Sequence, residues 1–110
     1  MKKWIVDYTK DAQKDYAGLD GSQRPQVLKA IEKVRKNPLP DYEGGYGKSL
    51  GNKGGKDLHG LLKIKLKKLG LRIVYKLVRQ KDVMKIIVIS VRNDDEVYKT
   101  AFKRITNEKH

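Results

Sequence analysis

No cysteine occurs in the 110 residues, which excludes a disulfide framework and a thiolate metal site and leaves nothing that requires an oxidising compartment. Histidine is nearly absent, with only His59 and the last residue, His110, so histidine-centred catalytic sets have little to be built from. No P-loop, HExxH or nucleophile-elbow pattern is present either. The apolar runs are far shorter than a membrane span, and the opening MKKWIVDYTKDAQ turns polar too soon for a signal-peptide core. A cytoplasmic protein without membrane association is the expectation. Acidic residues are scarce: 13 Asp and Glu stand against 26 Lys and Arg, a net charge of +13. Such an excess costs a small protein self-repulsion and points to a polyanionic partner.

What is present amounts to one domain, residues 1–110, with 38% hydrophobic content, enough for one modest core. Trp4, Ile5 and Val6 favour a short strand, and Thr9 with Gln13 signals a helix that ends near Gly18. Ser22 is the expected N-cap of a second helix. Pro25 falls in its first turn, Val27, Leu28, Ile31 and Val34 lie on one face, and Asn37-Pro38 stops it. The short Asp20-Gly21 connection suggests an antiparallel helix pair. Residues 38–57, PLPDYEGGYGKSLGNKGGKD, hold two of the three prolines and six of the ten glycines. No regular element is expected to persist there, and the length of the segment marks it as a functional or partly disordered loop.

Three strands follow, over 60–67, 71–79 and 83–91, as an antiparallel meander turning at Lys68-Leu69-Gly70 and Gln80-Lys81-Asp82. The last, VMKIIVISV, is apolar on both faces and is expected to be central, with helices on one side and a cleft on the other. Asn93 or Asp94 caps a final helix with an apolar stripe of Val97, Ala101 and Ile105 or Phe102. The fold class is α+β: a small antiparallel sheet made of the N-terminal strand and the three-stranded meander, two N-terminal helices packed on one face, and a C-terminal helix.

The first hairpin, LLKIKLKKLGLRIVYKLV, carries the unusual charge. Between Leu58 and Lys81 there are eight Lys and Arg and no Asp or Glu. Alternation puts Leu62, Ile64 and Leu66 inward and Lys63, Lys65 and Lys67 outward, while Lys63, Lys65 and Arg72 can share a face that Arg92 approaches. Such a cluster binds phosphate, and mutual repulsion makes a lysine within it easier to deprotonate. A solvated outer face is the other reading, and pattern alone leaves both open. Asp94, Asp95 and Glu96 read as helix N-terminal residues favoured by the macrodipole. His59 is either a general base or a loop residue facing water.

The segments LLKIKLKKLGLRIVYKLV, VMKIIVISV, Arg92 and EVYKTAFKRI closely resemble the RelE branch of the RelE/ParE toxins of bacterial toxin–antitoxin pairs. The combination KIKL, GLRIVY and VISVR followed by EVY is more informative than any one piece. The resemblance implies a RelE-like fold and a metal-independent, cofactor-free mRNA endonuclease that works in the ribosomal A site, against mRNA and 16S rRNA. It implies attack of the RNA 2′-hydroxyl on the adjacent phosphate, leaving a 2′,3′-cyclic phosphate and a 5′-hydroxyl. On that basis Lys65 is the general base, Lys63 and Arg72 neutralise the phosphate, Arg92 stabilises the transition state and assists the leaving group, and Tyr98 orients or stacks on the substrate. The connection VRNDDEVY is shorter than in the best-known members, and no arginine in the 38–57 loop replaces a basic residue that some relatives place before the KIKL strand, for which Lys53, Lys56 or His59 is the candidate substitute. The partner implied is a RelB-like antitoxin, acidic and disordered when free. The alternatives are a ParE-like gyrase inhibitor, which generally lacks the full basic set, and a non-catalytic RNA- or ribosome-binding module.

Overall fold

The N-terminal apolar residues enter a sheet as β1 (Ile5–Tyr8), and the chain continues through α1 (Lys10–Ala17), α2 (Gln23–Val34), β2 (Lys48–Lys53), β3 (Lys56–Leu66), β4 (Leu71–Val78), β5 (Val83–Ser90) and α3 (Asp94–Asn107). The structure is a computed structural model and describes residues 3–53 and 56–107. His110 and the side chains of Lys53 and Lys56 lie outside what is described. Thr9 caps α1 as its sequence signals, accepting a hydrogen bond from Ala12 N at 3.1 Å, and the helix closes at Gly18. At α2 the cap is not Ser22. Asp20 Oδ1 accepts from the backbone of Ser22 and Gln23, each at 2.9 Å, while Gln23 Oε1 accepts from Asp20 N, a reciprocal arrangement of the capping-box kind. The Ser22 hydroxyl donates to the same Asp20 oxygen at 2.7 Å and makes no capping bond to the helix.

The described strands form one sheet in the order β1-β5-β4-β3-β2. β2 through β5 are antiparallel, but β1 runs parallel to β5, so the sheet is mixed and β4 is its middle strand. The glycine-rich segment is also more regular than its composition suggests. After a single 3-10 turn at Asp41–Glu43 it supplies β2, a strand that lengthens the meander by one member. Leu50, buried at 2% exposure, fixes β2 to the core, and Gly51 at φ +64° takes up the bulge beside it. Gly47 is needed for close approach: a Cβ there would sit 2.1 Å from the Tyr75 hydroxyl. That hydroxyl, deeply buried, donates to Pro38 O at 2.8 Å and ties the start of the segment to the middle strand.

The sheet is covered on both faces, not one. Leu62, Ile73, Tyr75, Met84, Ile86 and Ile89 pack against α1 and α2. Leu50, Leu58, Leu61, Val74, Ile87 and Val88 pack against Val97, Tyr98 and Ala101 of α3. The two-sided apolarity of β5 follows from this arrangement, and a bulge contributes to it. Val74 pairs with Val88 while Tyr75 pairs with Ile86, so Ile87 is an extra residue that lets β5 send two successive side chains toward α3. Among the described residues, clefts lie near the two ends of α3. Among the described residues no helix is long and apolar enough to cross a membrane.

β1 stops at Tyr8 and leaves the outer edge of β5 uncovered from Ile87 onward. Two side chains from opposite faces take its place. Asp15 of α1 accepts from Ile89 N at 3.0 Å, Arg104 of α3 donates to Ile87 O at 2.8 Å, and the two meet in a bidentate pair at 2.7 and 3.1 Å. An unpaired strand edge is thus closed, and both helix layers are fixed to one another.

Candidate phosphate-binding site

The register of β3 and β4 puts the hairpin's charge in one place. Lys65 lies directly opposite Arg72, Lys63 opposite Val74, and on the other side Lys63 faces Lys48 of β2. Because Val74 packs under α3, Lys63, Lys65 and Arg72 emerge on that same face, beside the helix's N-terminus. Asn93 sets the position of that terminus: its side chain accepts from Glu96 N at 3.0 Å and its carbonyl from Val97 N. The helix then turns Tyr98 inward to the sheet. Lys63 Nζ donates to the Tyr98 hydroxyl at 2.7 Å and stands 5.4 Å from the centre of its ring. At 7% exposure Tyr98 offers little ring face, so its contact with the site is through the hydroxyl.

Arg72 is the most constrained of the cations. Its Nη1 donates to Arg92 O at 2.7 Å and Gly70 O at 3.2 Å, and its Nε donates to Asp94 Oδ1. Arg92 follows the end of β5, with its N–H on Ser90 Oγ at 3.1 Å, and contributes its carbonyl to holding Arg72 while the residue itself is exposed. All five residues singled out in the sequence are therefore near one end of α3: Lys63 and Tyr98 are in contact, Arg72 is held by Asp94 and the Arg92 carbonyl, and Lys65 is exposed directly opposite Arg72 in the sheet. Asp94 was not expected there. Partial desolvation pushes its carboxyl pKa up, but the Arg72 hydrogen bond and the charges of Lys63, Arg72 and Lys65 together hold it below the ordinary aspartate value.

Beside this cluster is an open cleft of about 500 Å³ lined by Tyr46, Lys48, Lys63, Ile64, Lys65 and Lys67. It forms because β2 begins at Lys48, opposite Lys63, so that the last residues of β3 have no partner in β2. Tyr46, exposed and with Lys33 Nζ 5.5 Å from its ring centre, and Lys48 were hidden in the glycine-rich segment. Only the pairing of β2 with β3 brings them to the site. His59 lies elsewhere, in a separate cleft with Lys76, Lys85 and Ile105 near the other end of α3. Among the described residues no His, Asp and Glu cluster converges where it could hold a metal ion. The site offers an anion several ammonium groups, one nearly covered guanidinium and a phenol, a constellation suited to phosphate.

No family model matches the chain. It is 31% identical over 102 residues to the mRNA interferase toxin RelE of Escherichia coli K12, a match covering 93% of this chain and 97% of that protein. A free arginine double mutant of the E. coli RelE toxin has the same fold, with a TM-score of 0.71 at 27% identity, over 94% of this chain and 99% of that one. A chain of the intact E. coli RelBE toxin–antitoxin complex matches with a TM-score of 0.62 at 25% identity, over 82% and 98%. At 31% identity over nearly all of both chains, this chain belongs to the RelE toxin family.

Proposed function

We propose that this chain is the toxin of a type II toxin–antitoxin pair and a ribosome-dependent endoribonuclease that cuts mRNA in the A site. The observation that supports it best is an open cleft lined by Lys48, Lys63, Lys65 and Lys67, with Tyr98 bonded to Lys63 and Arg72 directly opposite Lys65, on a chain similar over 93% of its length to an mRNA interferase. The chemistry has three parts. Lys65, in its neutral form, takes the proton of the 2′-hydroxyl as that oxygen attacks the adjacent phosphorus. Lys63 and Arg72 hold the non-bridging oxygens, and their fixed positions match charge that grows in the phosphorane. The P–O5′ bond then breaks, leaving a 2′,3′-cyclic phosphate, and the 5′ oxygen takes a proton from an ammonium group or water in the cleft. A guanidinium keeps its protons, so Arg92 stabilises the leaving group electrostatically. Tyr98 positions Lys63 by its hydroxyl.

The working partners are mRNA, the 16S rRNA of the A site and a RelB-like antitoxin, in the cytoplasm. An acidic antitoxin offsets the +13 charge and competes for the cationic cleft. Programmed ribosomes with a defined A-site codon, incubated with the purified protein, should yield cleavage within that codon and a cyclic phosphate end. The Lys65→Ala/Arg92→Ala variant should yield none. Intact mRNA on ribosomes that bind the protein normally refutes the nuclease reading, and gyrase-dependent DNA breaks point to the ParE-like alternative. Equal cleavage by the variant refutes the assignment of residues.

A further inference from the structure

The fold inserts a carboxylate into the cationic cluster. A guanidinium presents anions with two two-donor edges, Nε with Nη2 and Nη1 with Nη2. In Arg72 the first edge has Nε on Asp94 and the second has Nη1 on the carbonyls of Arg92 and Gly70. Neither edge can give a phosphate two hydrogen bonds until one of these partners leaves. The carbonyls belong to backbone at a strand end and a turn, whereas Asp94 can turn away by a side-chain rotation. Its side chain is 39% exposed, and the helix cap is made by Asn93, so α3 does not need Asp94 in place. Arg72 is 15% exposed and stays anchored by the two carbonyls when the carboxylate departs.

We propose that Asp94 is an internal competitor for the phosphate position of Arg72, and that RNA binds by exchange, the phosphate replacing the carboxylate on Nε. This rests on the cleft being a phosphate site, as above. Asp94 thereby sets the affinity of the site for RNA. A weakly held anion is refused, and a strand whose neighbouring phosphates are also gripped by Lys48, Lys65 and Lys67 supplies enough binding energy to displace the carboxylate. Asp95, adjacent in sequence, is exposed and serves as the matched control, since Asp95→Asn makes the same change in net charge without touching Arg72.

The probe is a labelled single-stranded oligonucleotide with 2′-O-methyl at every position, which binds but cannot be cut, titrated by fluorescence anisotropy at fixed salt against the wild-type protein, Asp94→Asn and Asp95→Asn. Freeing the occupied fraction of Arg72 should tighten binding of Asp94→Asn by about five- to tenfold, with Asp95→Asn within about twofold of wild type. In the Arg72→Ala background Asp94→Asn should no longer change affinity, which separates displacement from a general charge effect. Equal tightening by both aspartate variants, or weaker binding by Asp94→Asn at unchanged helicity, overturns the proposal. Binding is read without cleavage. Failure of the ribosome assay with the affinity pattern intact would remove the nuclease reading and leave the competitor, and the converse result would do the opposite.

Discussion

Replacing Arg104 by alanine tests how the layer carrying Tyr98 and Asp94 is held. The substitution deletes two hydrogen bonds to Asp15, at 2.7 and 3.1 Å, and one to Ile87 O at 2.8 Å. The side chains of the pair are 22% and 18% exposed, so neither charge is fully desolvated and water can partly replace the lost partner. Removing one member of a buried pair costs about 3–5 kcal/mol, and this exposure reduces it to about 2–3 kcal/mol. Asp15→Ala loses the same pair and also leaves Ile89 N–H without its acceptor, so it should cost at least as much. In the double variant no orphan charge remains. Its loss should fall short of the sum of the singles by about 1–2 kcal/mol, well beyond the ~0.5 kcal/mol scatter of independent sites. Urea unfolding followed by circular dichroism, in the Lys65→Ala/Arg92→Ala background so that the protein can be produced, gives all four corners of the cycle. Additive losses, or either single variant within about 0.5 kcal/mol of its parent, would refute the idea that these side chains close the sheet edge as a unit.

Further expectations concern the site and its supports. Tyr98→Phe keeps the ring and removes only the acceptor for Lys63, so cleavage on programmed ribosomes should drop by about 10²-fold or less while the urea midpoint is nearly unchanged. Lys48→Ala should weaken binding of the uncuttable oligonucleotide and reduce the slope of log affinity against log salt by about 0.7, the share of one phosphate contact on a single strand. Gly47→Ala drives a methyl against the Tyr75 hydroxyl and to 2.7 Å from Leu62 Cδ2, and thermal unfolding should report a loss of about 1–3 kcal/mol. Burial pushes the Tyr75 phenol pKa up, so the folded state resists ionisation that the unfolded chain undergoes near pH 10. That contribution is fully present below about pH 10 and is lost as pH rises through the higher folded value, so urea midpoints should decline above that pH less steeply in Tyr75→Phe.

The sequence made the hairpin and its two faces legible because period-2 alternation survives in Leu62, Ile64 and Leu66 against Lys63 and Lys65, and the Thr9 cap and Gly18 stop are local signals that nothing overrode. β2 was not legible. Its glycines and short polar residues have weak strand preference, and what makes it a strand is non-local: Leu50 under α3, Gly47 against Tyr75, and pairing with β3. The parallel placement of β1 has the same origin, since it depends on which edge α1 and α2 return the chain to. Ser22 was a reasonable cap by residue type, but its side chain makes no capping bond, and Asp20 supplies a charged acceptor to the N–H groups of Ser22 and Gln23 instead. The five candidate site residues were singled out because the resemblance supplied their roles. Tyr46 and Lys48 had no such support and depended on the unforeseen strand.

Asp94 shows what charge counting along a chain can and cannot establish. The absence of acids from Leu58 to Lys81 invites the inference that the site itself excludes carboxylates, since one would compete with phosphate. The window is a property of two adjacent strands, however, and the site also draws on β2, the end of β5 and α3. α3 begins with Asp94, Asp95 and Glu96, placed there to the benefit of the helix dipole, and the Asn93 cap brings the first of them onto Arg72. Sequence-local charge therefore establishes that the hairpin face is cationic, while the composition of the site depends on which helix end is docked against it. A carboxylate missing from the hairpin is thus present in the folded cluster, on Arg72.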